Sequence, residues 1–297
     1  MEEEALSVQP NEKKRRFWEL DFLRGLCVIL MVFDHFMYSI YDIMPRFNDA
    51  FWADASAWVG NVYWYGMLRI VVRFIVLFCF FLICGISCTL SRSNIKRGAL
   101  CFLVGCGITF FTVVADAMLD MDIAIYFGVL HMLGVSMMLY GLIDKLGQLI
   151  AKIGKDDKTK KATRIIGDYL APTVGLILFI VYFAGLKGGV EGDTFVTDIG
   201  IEDQATSVFA SLFIDVKYAW SIGGADYWPL LPWGAIVLIG GFIGRGLYHS
   251  KAKDCLAPLD GKWNKPVCFV GRHALIVYVL HQVVAFVLLY LITLIAA

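Results

Sequence analysis

The chain has 297 residues, of which 59% are hydrophobic and only 18% charged, with a mean hydropathy of +0.70. That composition is too apolar for an ordinary soluble domain. Basic and acidic residues number 26 each, so no basic surplus points to nucleic acid, and only the placement of charge along the chain is informative.

A helix needs about 20 mostly apolar residues to cross the hydrocarbon. Seven such segments follow in chain order, at 18 to 42, 68 to 90, 99 to 118, 124 to 143, 168 to 186, 229 to 248 and 267 to 296. They predict an all-α polytopic membrane bundle. Residues 1–17, "MEEEALSVQPNEKKRRF", read as a disordered cytosolic N-terminus whose Lys13, Lys14, Arg15 and Arg16 anchor the first segment inside. Residues 18–297 form one transmembrane domain on this reading. The first segment is longer than a signal-peptide core and is followed by no small-residue cleavage site, so it is expected to stay attached. Seven crossings from an inside N-terminus put the C-terminus outside. The loops predicted to lie inside hold 19 Lys and Arg against 3 in those predicted outside, which is the bias that orients membrane proteins. The outer loop at 187 to 228 is acidic, with Glu191, Asp193, Asp198, Glu202, Asp203, Asp215 and Asp226.

Seven of the eight cysteines lie in or beside apolar segments and Cys255 in a predicted inner loop, so no disulfide is expected. No zinc-type Cys/His spacing, nucleotide-binding glycine pattern or GxSxG turn is present, and no metal is expected.

Ionisable groups inside the apolar segments are the informative residues. Such groups are costly in lipid and face a water-filled cavity or a partner within the bundle. In "WELDFLRGLCVILMVFDHF" Asp21, Arg24 and His35 lie on one stripe, since eleven residues make three turns plus about 20°. Asp21 and Arg24 can pair at i, i+3, and Asp34 points about 100° away from His35. The second segment adds Arg69 and Arg73, the fourth adds His131, and the seventh adds Arg272, His273, Tyr278, His281 and Gln282. Tyr278 is one turn from His281 and is a candidate to orient it. For a lone histidine on an apolar helix, the structural alternative is a hydrogen-bonded packing residue.

These residues carry a resemblance. "LDFLRGLCVILMVFDH" resembles the first helix of integral-membrane acyltransferases, in which a D-x-x-R-G start is followed, after ten intervening residues beyond the arginine, by a histidine; "GRHALIVYVLHQ" resembles their last helix. "FFLICGIS" and "DYWPLLPWGAIVLIGGFIGR" narrow it to the heparan-alpha-glucosaminide N-acetyltransferase catalytic family, and to its bacterial members. The resemblance implies transfer of an acetyl group from cytosolic acetyl-CoA to an amino or hydroxyl group of a sugar or glycan outside a bacterial plasma membrane. It implies phosphate partners in Arg24, Arg272 or the inner basic loops, and His35 as base with Asp34 or a carbonyl fixing its tautomer. His281 is a second catalytic candidate; Asp21, Arg69, Arg73, His131, Tyr278 and Gln282 are binding candidates.

The chain departs from the family in one respect. The lysosomal enzymes hold their catalytic histidine in the luminal region after the first helix, whereas residues 36 to 68 here contain none. Outer aromatics, among them Trp52, Trp58, Trp64, Tyr65, Trp220, Tyr227 and Trp228, are expected either to stack on a sugar or to anchor at the interface, and Trp228 and Trp233 to anchor. The competing class is a proton-coupled transporter, which calls for repeat symmetry; a non-catalytic scaffold has no need of buried charge. Glycine-rich "GFIGRG" and "GVLHMLG" suit close packing within one chain or in a homodimer.

Overall fold

A computed structural model describes residues 17–120, 122–191, 194–201, 203–216, 226–250 and 254–296. The predicted disordered N-terminus with its Lys13 to Arg16 anchor, and Trp220 in the outer loop, lie outside these residues.

Six helices are long and apolar enough to cross a membrane: α1 (Trp18–Tyr38, prolonged by π and 3-10 turns to Arg46), α3 (Met67–Thr89), α4 (Asn94–Leu119), α5 (Val129–Ala151), α6 (Asp157–Ile180, prolonged to Gly185) and α10 (Ala274–Ala296). Between α1 and α3 lies α2 (Asp49–Trp58), whose first turn is capped by the Asn48 side chain accepting from the Phe51 amide at 3.1 Å. A two-stranded hairpin, β1 (Gly189–Glu191) with β2 (Thr194–Val196), and α7 (Gln204–Ser211) occupy the long loop after α6.

Two expected segments differ from the sequence reading. The 229 to 248 segment becomes the shorter α8 (Trp233–Ile243), continued by a π turn to Tyr248. Pro229 and Pro232 precede it, and proline lacks the amide an earlier turn would need. The 267 to 296 segment is broken: α9 (Lys265–Arg272) ends at His273, and α10 begins at Ala274. The pinning of Gly271 on α1 fixes α9 in its own direction, because a Cβ there would lie 1.8 Å from the Asp21 carbonyl oxygen. Arg272 and His273 lie exposed at the break, so they are carried on a different helix segment from Tyr278, His281 and Gln282.

Apolar helices gain little from burial against lipid, so close backbone approach and dispersion hold them together. The joints here are glycines: Gly85 on the Val237 carbonyl, Gly98 on Gly134, Gly147 on Gly167, and Gly25 on Val267. At the centre a cluster of Phe81, Tyr140, Tyr182, Phe195, Trp233 and Val237 is almost fully enclosed. Trp233 is 1% exposed and packs on Phe195 and Phe81, so it is a core residue and no interfacial anchor.

The joints also give directions. Asp34 of α1 meets Arg69 at the start of α3, and Arg24 meets Ser87 near its end, so those helices are antiparallel. Phe81 meets Trp233 and Thr89 meets Gly244, so α3 and α8 are parallel. His35 meets His281 and Ser39 meets Gln282, while Gly25 meets Gly271, so α1 runs parallel with α9 and α10. Alternation over seven crossings, with α8 as the sixth, produces this set of directions.

Candidate functional site

The last turns of α1 pack on the first half of α10, where α1 carries His35. The His35 and His281 rings stand edge to face at 89°, with centroids 4.9 Å apart. Each ring is held the same way. His35 Nδ1 lies 2.9 Å from the Met31 carbonyl oxygen, and His281 Nδ1 lies 2.6 Å from that of Tyr278. A carbonyl only accepts, so Nδ1 is the donor in both rings. Among the described residues the buried His281 Nε2 has no hydrogen-bond partner. Beside it Gln282 Nε2 donates to Ser39 Oγ at 3.0 Å, Ser39 donates on to the His35 carbonyl at 2.9 Å, and Gln282 Oε1 is buried without a partner. The touching imidazoles and the buried Gln282 amide oxygen are the acceptor groups that α1 and α10 bring together here, and a histidine so placed is a candidate to take a proton from an incoming nucleophile.

Several expected roles are corrected by this geometry. Asp34 does not orient His35. Its carboxylate takes Arg69 Nε at 2.8 Å on one oxygen and Arg69 Nη2 at 3.0 Å on the other, with the Tyr63 hydroxyl at 2.9 Å. The 100° offset around α1 sends it toward α3. Arg69, with its side chain only 6% exposed, also lies over the Trp64 ring at 3.9 Å; it is a structural cation committed to Asp34 and no free partner for phosphate. Tyr278 holds His281 through its carbonyl, while its hydroxyl donates to Asp226 Oδ2 at 2.9 Å. Arg272 lies exposed on α9, apart from the histidine pair.

His131 is a cap. Its Nδ1 accepts from the Gly128 amide at 3.2 Å, its Nε2 lies 3.4 Å from Thr109 Oγ1, and its ring stacks on Phe127. With Nδ1 occupied by a donor, its tautomer is opposite to that of the pair, and its lone pair is already used. It borders an apolar cavity of about 450 Å³ lined by Phe102, Thr109, Tyr126, Leu212 and Phe213 among others.

Asp21 and Arg24 pair at 3.0 Å as the spacing predicted, and Arg24 Nη2 donates to Ser87 Oγ at 2.9 Å. Arg73 faces the Trp228 ring at 5.9 Å. Of the outer aromatics, Trp52 is buried and donates to Thr293, Trp64 stacks on Tyr41, the Tyr227 hydroxyl donates to the Ser211 carbonyl, and the Trp228 indole donates to Asp226. These four are committed to the protein, whereas Trp58 and Tyr65 are exposed.

Sequence reasoning counted Asp226 only among the acids of the outer loop. In the fold its carboxylate gathers three donors from three places: the Trp228 indole two residues on, the Val129 amide at the first turn of α5 at 3.2 Å, and the Tyr278 hydroxyl on α10. A carboxylate at a helix N-terminus satisfies an orphan amide and opposes the helix dipole. Only an acid just before "YWPLLPW" hinted at it.

The protein family described as "Heparan-alpha-glucosaminide N-acetyltransferase, catalytic" matches this chain over residues 16–154 and 197–283, about three quarters of its length. His35, Asp226, Tyr278, His281 and Gln282 all lie within the matched stretches. No curated protein and no solved structure matches.

Proposed function

Since the chain belongs to the heparan-alpha-glucosaminide N-acetyltransferase catalytic family and is a multi-pass membrane acetyltransferase, we propose that acetyl-CoA is its donor and that the His35–His281 pair is where transfer occurs. The observation that carries this reading is the paired rings, in edge-to-face contact and each held at Nδ1 by a carbonyl.

In the proposed step an amino or hydroxyl group attacks the thioester carbonyl carbon. Histidine Nε2 takes the proton of the attacking group, the carbon–sulfur bond breaks, and the departing thiolate receives a proton from the imidazolium. Fixing both rings in one tautomer places the lone pair without reorganisation at the moment of attack. Arg24, beyond its bond to Asp21, is the cation on the same α1 stripe about 16 Å away along the axis, and it remains the proposed partner of the donor's phosphates.

The proposed acceptor is a neutral or amino sugar of a cell-envelope glycan, reached from outside a bacterial plasma membrane. Exposed Trp58 and Tyr65 support sugar stacking, and the acidic outer loop disfavours a sulfated polymer.

The test is transfer of radiolabel from acetyl-CoA by the purified protein to glucosamine-terminated and neutral glycans, beside His35→Ala and His281→Ala. Label incorporation abolished in either variant, with coenzyme binding intact, supports the pair as the reaction centre. Full activity in both variants would remove it.

A further inference from the structure

At the other end of α5, away from the histidines, a second cavity of about 500 Å³ lies between α5 and α6. The two helices touch there backbone to backbone: a Cβ on Gly147 would lie 2.3 Å from the Gly167 carbonyl oxygen, and one on Gly167 2.2 Å from that of Gly147. Asp144, Gln148, Lys152, Lys160, Arg164 and Asp168 surround this contact.

The acids are neutralised from within. Arg245, reaching across from the π turn after α8, approaches Asp144 at 2.5 Å and Asp168 at 3.5 Å, and Gln148 donates to Asp144 at 2.9 Å. Arg164 reaches Asp168 only at 3.9 Å, and Lys152 and Lys160 form no ion pair among the described residues. The cleft therefore presents uncompensated positive charge.

The turn between the helices orders the backbone that carries Lys160. Asp156 caps α6 through Thr159, and Gly154 packs so tightly on Lys160 that a Cβ would lie 2.5 Å from its amide nitrogen. Around the cations the helices are apolar and exposed, with Leu146, Leu149 and Ile153 on the α5 side and Ile165 and Ile166 on α6. Exposed cations bordered by exposed apolar side chains match an amphiphile with an anionic head.

We infer that this cleft binds the phosphate headgroup of an anionic membrane lipid. The four α6 residues that line it, Lys160, Arg164, Gly167 and Asp168, lie outside the stretches matched by the family, while its α5 residues lie within them. A bound headgroup would bridge the two helices at a joint where their backbones already touch.

The experiment places the full chain in phosphatidylcholine bilayers containing a minor fraction of phosphatidylglycerol, and counts the lipid retained by the protein in native mass spectrometry. Phosphatidylglycerol is expected to be enriched over its bulk fraction. Each cation removed is expected to reduce the enrichment by roughly fivefold, read in Lys160→Gln and in the combined Lys152→Gln, Lys160→Gln, Arg164→Gln variant. Lys262→Gln with Lys265→Gln, equally exposed cations elsewhere, should leave it unchanged. Enrichment that survives the triple variant, or that falls as much in the Lys262/Lys265 control, overturns the site. Displacement of the lipid by free coenzyme A or by inorganic phosphate overturns the lipid assignment in favour of a soluble phosphate ligand. The readout needs no turnover, so it stands apart from the acetyl-transfer assay.

Discussion

Asp34 and His35 follow one another on α1 and meet different partners, because a step of one residue turns the helix by about 100°. Asp34 meets Arg69 across the α1–α3 contact, where both charges are largely out of water. Breaking such a pair leaves a lone buried charge, whereas removing both halves leaves none. Arg69→Met is expected to cost about 3 kcal/mol of stability, and Asp34→Asn with Arg69→Met to recover most of that loss, as read from thermal unfolding in detergent. His35, by contrast, was set by spacing on the stripe of Arg24, eleven residues away, and singled out as a base by the family resemblance; the fold gives it His281 as neighbour. Asp226 was not legible, because two of its partners lie 52 and 97 residues away in the chain. It acts as a positioning residue, tying α5 to the α10 turn whose Tyr278 carbonyl fixes His281. Displacing that turn should harm the chemical step more than donor binding, since small misplacements of a catalytic group are costly. Asp226→Asn is expected to lower kcat about tenfold while the KM for acetyl-CoA stays constant. A rise in KM with unchanged kcat would assign Asp226 to donor binding.

At the scale of elements, the long helices were readable because lipid demands a run of about 20 apolar residues and little else produces one. Their joints were not readable, because a glycine in an apolar run looks the same whether it touches a backbone or faces lipid. Gly85 and Gly107 show the difference: a Cβ on Gly85 would lie 1.8 Å from the Val237 carbonyl oxygen, and one on Gly107 meets nothing within 4 Å. Gly85→Ala must push α8 away from α3 and is expected to destabilise by about 1 to 3 kcal/mol. Gly107→Ala should be neutral or stabilise by up to about 1 kcal/mol, from helix propensity alone. Equal thermal midpoints for the two variants would show that the α3–α8 contact yields without cost. The break at His273 was hidden for a related reason. Its cause is the seat of Gly271 on the Asp21 carbonyl, a contact made 250 residues away in sequence, while the local pattern "GRHALIVYVLHQ" reads as one helix.

For the whole molecule, the pairings constrain how the chain threads a membrane. Because α1 and α10 run in the same direction, an odd number of crossings must begin with one and end with the other. Six long helices alone would make them antiparallel, so the short α8 has to count as a crossing, and its parallel packing on α3 gives it the direction the sixth needs. Its shortness is offset by its place in the core, where Trp233, Ile236 and Val237 are enclosed by protein and no lipid-length span is required of them. The basic loops after α3, between α5 and α6 and after α8 lie at the same end of the bundle as Arg24 and the α5–α6 cleft, and that end is expected to face the cytosol. Cys255 lies exposed in the last of these loops, and Tyr65 is exposed at the opposite end beside the start of α3. A membrane-impermeant maleimide applied to intact cells should therefore leave Cys255 unlabelled until the membrane is permeabilised. In Cys255→Ser carrying Tyr65→Cys, the same reagent should label before permeabilisation. The reverse order of labelling would turn the whole bundle over, placing the histidine pair at the cytosolic end and requiring the acceptor to be cytosolic.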